Sequence, residues 1–106
     1  MTESVEQRDE IYRAKVNLET AQIAWRELQR FFASGVAMHV SGDLDLVEVA
    51  FQMSEDNAGQ IRQWMLAGKL GKVTDRQAAE WFETDALVWA VVVSPWLLVQ
   101  GSGNLH

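Results

Sequence analysis

Apolar residues recur at alternating three- and four-residue steps through the first third of the chain: Ile11, Ala14, Leu18, Ala21, Trp25, Leu28 and Phe32. That spacing draws a continuous stripe along one helical face and predicts a long N-terminal helix over residues 5–33. Arg13, Glu19, Arg26 and Arg30 fall on the opposite, solvated side. Val16, Ile23 and Phe31 broaden the stripe beyond the narrow seam of a coiled coil, so the helix is expected to lie on a sheet or a bundle. Gly35, following Ser34, is placed to end it, because glycine takes up the left-handed backbone of a helix C-terminus at no steric cost.

Val36 to Val40 reads as a short strand, closed by a Ser41-Gly42 turn. Asp43 is expected to cap a helix carrying Leu46, Val47, Ala50, Phe51 and Met53, although the alternation of Asp43-Leu44-Asp45-Leu46 leaves a strand open at its start. Ser54 is expected to cap the next helix, lined by Ile61, Trp64 and Met65 and ended by Gly68. Leu70 to Val73 is short and extended. Thr74-Asp75-Arg76-Gln77 matches a capping box and opens a helix with Ala78, Trp81 and Phe82 inward. Leu87 to Val93 and Trp96 to Gln100 are rich in β-formers and almost continuously apolar, the pattern of strands covered on both faces. Pro95 lacks a backbone donor and marks a turn, a bulge or an edge between them. The fold class is therefore α+β: a long N-terminal helix and three shorter helices on a small sheet that ends in a C-terminal β-hairpin or bent strand. Residues 1–10 read as a polar lead, 11–100 as a single domain and 101–106 as a flexible tail.

Composition narrows this picture. A chain of 106 residues accommodates one core, and 48% apolar with 23% charged residues argues against disorder. Five tryptophans can supply much of that core. The absence of cysteine excludes disulfides and thiolate metal sites. The polar, acidic start from Met1 to Glu10 does not read as a secretory signal, and the apolar stretch from Ala86 to Val99 is too short to span a bilayer as a helix. A cytoplasmic location with no membrane partner is the expectation.

The chemistry on offer is sparse. His39 lies in a strand and His106 at the end, so no histidine cluster is available for a metal. Asp43, Asp45 and Glu48 lack the glycine and the spacing of a calcium loop. Ser34, Ser41, Ser54, Thr74 and Ser94 fall at element boundaries, where capping and turns account for them, and the scattered glycines form no phosphate loop. No catalytic constellation, cofactor site or metal site is assigned. A non-enzymatic protein-interaction module is the first reading.

Charge suggests the second. The net charge is −6, yet Arg62, Lys69, Lys72 and Arg76 face only Asp75 within residues 61–76. This basic island falls on two helices followed by Gly68-Lys69-Leu70-Gly71-Lys72-Val73, an order that resembles a helix-turn-helix with a wing. Ile61-Arg62-Gln63-Trp64 with Gly68-Lys69-Leu70 is also similar to the recognition-helix exit of small excisionase-like DNA binders. Winged-helix-like DNA binding through residues 46–76 is the alternative, with Arg62, Lys69, Lys72 and Arg76 as its contacts. The acidic total works against it.

Lys15 to Ala21, Trp25, Glu27 to Phe32, Leu44 to Ala50, Glu55-Asp56, Trp64 to Lys69 and Trp89-Ala90-Val91-Val92-Val93 with Pro95-Trp96-Leu97-Leu98-Val99-Gln100 together resemble a bacterial family known as domain of unknown function 2288, over about residues 11–100. The resemblance implies a small bacterial protein and brings no activity or catalytic residue with it. One further expectation comes from the last strands. Leu87, Trp89, Val91 and Val93 alternate with Val88, Ala90 and Val92, giving two apolar faces that one long helix cannot cover. A twofold homodimer through Trp89, Trp96, Leu97 and Leu98 is therefore expected.

Overall fold

The two apolar runs near the C-terminus pair with each other, and the remaining elements are arranged around them. The computed structural model describes residues 19–102. Its elements are β1 (Ala21–Ala24), a 3-10 turn (Trp25–Leu28), α1 (Gln29–Ala33), β2 (Ala37–Val40), α2 (Leu46–Ser54), α3 (Ala58–Leu66), β3 (Leu70–Lys72), α4 (Asp75–Glu83), β4 (Leu87–Val93) and β5 (Trp96–Gly101). β4 and β5 form an antiparallel hairpin with Val93 opposite Trp96 and Ala90 opposite Val99. On its other side β5 runs parallel to β2, with Ala37 opposite Leu97. β1 and β3 close the edges antiparallel to β4 and β2, giving the order β1-β4-β5-β2-β3.

Period-two alternation along β5 divides the core. Leu97 and Val99 face one side, where they meet Trp25, Leu28, Ala78, Trp81 and Val88. Leu98 faces the other, with Met38, Val40, Leu46, Val49, Ala50 and Val91. The 3-10 turn, α1 and α4 thus cover one face, while α2 and α3 cover the opposite one. Gln100, at the end of β5, donates its side-chain amide to the carbonyls of Ser41 (2.9 Å) and Leu44 (2.7 Å), which fixes the loop that leads into α2.

The long N-terminal helix is the main correction. Ala21–Ala24, in the middle of the predicted helix, is an edge strand registered against Leu87–Ala90. The earlier part of the stripe, Ile11, Ala14 and Leu18, lies outside the described residues. Helix propensity differs among these residue types by less than about 0.7 kcal/mol per residue, whereas truncating a buried tryptophan costs about 3–5 kcal/mol. Trp25 is fully buried, edge-on to Trp81 with ring centroids 5.1 Å apart, and its backbone N–H donates to the Ala86 carbonyl at 2.9 Å. Seating that indole in the core decides the local conformation.

Two caps also differ from expectation. Asp45 caps α2, accepting from the Val47 N–H at 2.9 Å, because the Asp43 carboxylate is already engaged by the Ser41 hydroxyl and by Lys69. Asn57 caps α3, accepting from Gln60, while Ser54 ends α2 and donates to the Phe51 carbonyl. Thr74 caps α4 through the Gln77 N–H as predicted, and Gly35 and Gly68 take the positive φ values (76° and 75°) expected at helix ends.

Leu98→Ala should lower unfolding free energy by about 2–5 kcal/mol in urea titrations, since Leu98 is fully buried between sheet and helix. Leu66→Ala, at an 82% exposed position, should stay within about 0.5 kcal/mol of wild type.

Candidate functional site

The backbone reverses between α2 and α3 through Asp56, whose φ of 59° is tolerated by a short polar side chain. The Asn57 side-chain amide donates to Gln52 at 2.7 Å, tying the start of α3 to α2. Ile61 and Trp64 pack toward the second core, but Met65 and Leu66 stay 49% and 82% exposed. Adjacent helical positions point roughly 100° apart, so a Met-Leu pair cannot turn inward as a unit. Beside α3 stands the β4–β5 turn, with its cis Ser94–Pro95 bond. Helix and turn enclose a groove of about 520 Å³, walled by Met53, Ile61, Met65, Val93, Pro95 and Trp96. Asp56 and Arg62 contribute its charged groups.

Arg62 enters no ion pair with a described residue. Two other cations are engaged: Lys69 lies 2.7 Å from Asp43, and Arg26 lies 3.7 Å from Asp85 while donating to the Phe82 carbonyl. Hydrogen bonds from Lys69, first, and Ser41 hold the Asp43 carboxyl below its usual range. The groove therefore pairs an apolar, methionine-rich wall with the Arg62 guanidinium and the Asp56 carboxylate.

The residues expected to form a dimer surface separate in the fold. Leu97 and Leu98 are only 3% and 0% exposed, and they belong to the core rather than to any surface. Trp96, half-buried, forms part of the groove wall. Trp89, more exposed, lies on β4 opposite Gln22 of the edge strand. α2 and α3 cover Leu98 and Val91 from within the same chain, while Leu87, Trp89 and Val92 on β4 stay exposed.

The basic island likewise disperses. Arg62 opens onto the groove, Lys69 is paired, Lys72 is exposed on β3, and Arg76 is on α4, across the sheet from α3. No wing follows α3. β3 pairs with β2 and leads into α4, because Leu70 and Val73 bury themselves at 3% and 7% exposure. Among the described residues there is no group of three side chains able to hold a metal ion, and no helix long and apolar enough to cross a membrane.

A family model described as a protein of unknown function, DUF2288, matches residues 11–101. The chain is similar to the NMR solution structure of PA1075 from Pseudomonas aeruginosa, with 40% identity, complete coverage of both chains and a TM-score of 0.77. No curated protein matches it.

His39 is half-buried on β2, its ring edge-on to Trp81 at 5.4 Å. Burial pushes its pKa below the ordinary 6.5. The unfolded chain therefore takes up this proton first as pH falls. The stability linked to His39 should be complete above the unfolded value, decline as pH drops below about 6.5, and level off once the folded value is passed. Urea titrations of His39→Gln should lose that decline relative to wild type; parallel curves for the two proteins would count against it.

Proposed function

The chain belongs to the DUF2288 family of proteins of unknown function, and we propose that it works as a small non-enzymatic interaction module of the bacterial cytoplasm, with the groove beside the β4–β5 turn as its recognition surface. The carrying observation is the conjunction of a half-exposed apolar wall with Arg62, a cation in no ion pair with a described residue. Methionine side chains such as Met53 and Met65 adapt to differently shaped partners, because the thioether chain is unbranched and polarisable. An apolar anchor inserted against Trp96 would supply the affinity, and an acidic residue beside it would meet Arg62 at a water-depleted edge. The occupant is accordingly a protein segment with an apolar anchor next to a carboxylate. DNA binding has less support, since the island's four cations are spread over both faces of the sheet and phosphate recognition relies on several acting together.

Peptides selected from a random library on the wild-type protein should converge on a large apolar residue adjacent to Asp or Glu. Their affinity should fall by about tenfold or more with Arg62→Ala, as expected for a charge-assisted hydrogen bond, and again with Met65→Glu. Both positions are exposed, so the fold should tolerate the changes. Selection without a shared motif, or unchanged affinity in both variants, would overturn the reading. So would a wild-type dimer in sedimentation equilibrium that Met65→Glu dissociates, because a second copy would then be the occupant.

A further inference from the structure

On the opposite side of the sheet from the groove, β2 and β5 run parallel and end together, and α4 passes over them. Side chains from separate elements meet beyond the carboxyl ends of these two strands. Here they surround a cavity of about 510 Å³ to which His39, Gln77, Glu80, Trp81, Leu87 and Ser102 contribute. We infer that this cavity is a second binding site, independent of the groove, for a small organic cation that joins an amidinium or ammonium head to a flat apolar body.

The hydrogen-bonding inventory points to that class. The His39 imidazole is held in place by packing against Trp81, yet its nitrogens bond to no described residue. Being neutral near pH 7 it offers one donor and one acceptor and adds no positive charge. Glu80 enters no ion pair with a described residue and is the charged side chain of the lining. Ser102 already spends its proton on the Leu87 carbonyl at 2.6 Å, so its oxygen is left to accept. Gln77 adds an amide that can do either. Acceptors thus dominate around one carboxylate, within a protein of net charge −6. An anion would enter with no cation to meet it, whereas a head group carrying several N–H donors would satisfy Glu80, Ser102 and the free nitrogen of His39 together. Trp81, Ala86 and Leu87 form the apolar wall against which a flat body would lie.

Benzamidine is a suitable probe, with benzoate as the matched anion. In 15N-HSQC titrations benzamidine should shift the amides of Gly42, Gly101 and Ser102 saturably and move the His39 ring proton signals, while benzoate leaves them in place. Glu80→Gln, a conservative change at an exposed position, should weaken benzamidine binding by about tenfold or more. Met65→Glu, in the groove, should leave it unchanged. Unmoved signals with benzamidine, equal shifts with benzoate, or undiminished binding to Glu80→Gln would each overturn the assignment.

Discussion

Strand β5 buries Leu97 and Val99 on one face and Leu98 on the other, so neither side of the central sheet can be left to water. Each such side chain contributes about 1.5–3 kcal/mol by leaving solvent, and the gain is realised only if helices lie on both faces. One chain of this length meets that requirement by dividing its helices, with α1 and α4 on one side and α2 and α3 on the other. Trp25 is the wedge that makes the first side possible. It fills the space between sheet and α4, in edge contact with Trp81 and with Phe32 at 5.8 Å. The Arg26 guanidinium then lies over the Phe82 ring at 4.8 Å and holds the end of α4 against the 3-10 turn.

The same division gives the molecule two unlike concavities. Where α3 ends beside the β4–β5 turn, apolar side chains remain half-covered around the Arg62 guanidinium and the Asp56 carboxylate. Where β2 and β5 end beneath α4, the His39 imidazole and the Glu80 carboxylate share a polar cavity with an aromatic edge. Their charged groups differ: the groove holds a cation and a carboxylate, the cavity a carboxylate alone. Lys69 and Arg26 are committed to Asp43 and Asp85, so the charges that face the openings are Arg62 with Asp56 at the groove and Glu80 at the cavity.

Much of the fold was legible because it depends on near neighbours. The strand pair at the C-terminus, the Thr74 cap and the glycine ends at Gly35 and Gly68 follow from residue type and spacing within one or two turns of chain. The exchanges of Asp45 for Asp43 and Asn57 for Ser54 at the caps were not legible. Several residues in each segment can cap, and the choice depended on Lys69, which approaches Asp43 from 26 positions away. The groove was not legible either, since spacing assigned Met65 to the lining of α3 where the structure leaves it half-exposed, and the polar cavity left no local signal at all.

The sequence by itself determined that this is a mixed α and β fold, that its last strand, β5, is buried on both faces, and that it lacks thiolate chemistry. Those properties are set by composition and by periodicity along the chain. Only the tertiary structure decided that Ala21–Ala24 is a strand, that Leu97 and Leu98 are core, that the basic island is dispersed, and that His39 and Glu80 share a cavity. Each of these depends on contacts between residues tens of positions apart, where the burial of Trp25, Leu70 or Leu98 outweighs the few tenths of a kcal/mol per residue by which local propensity prefers another conformation.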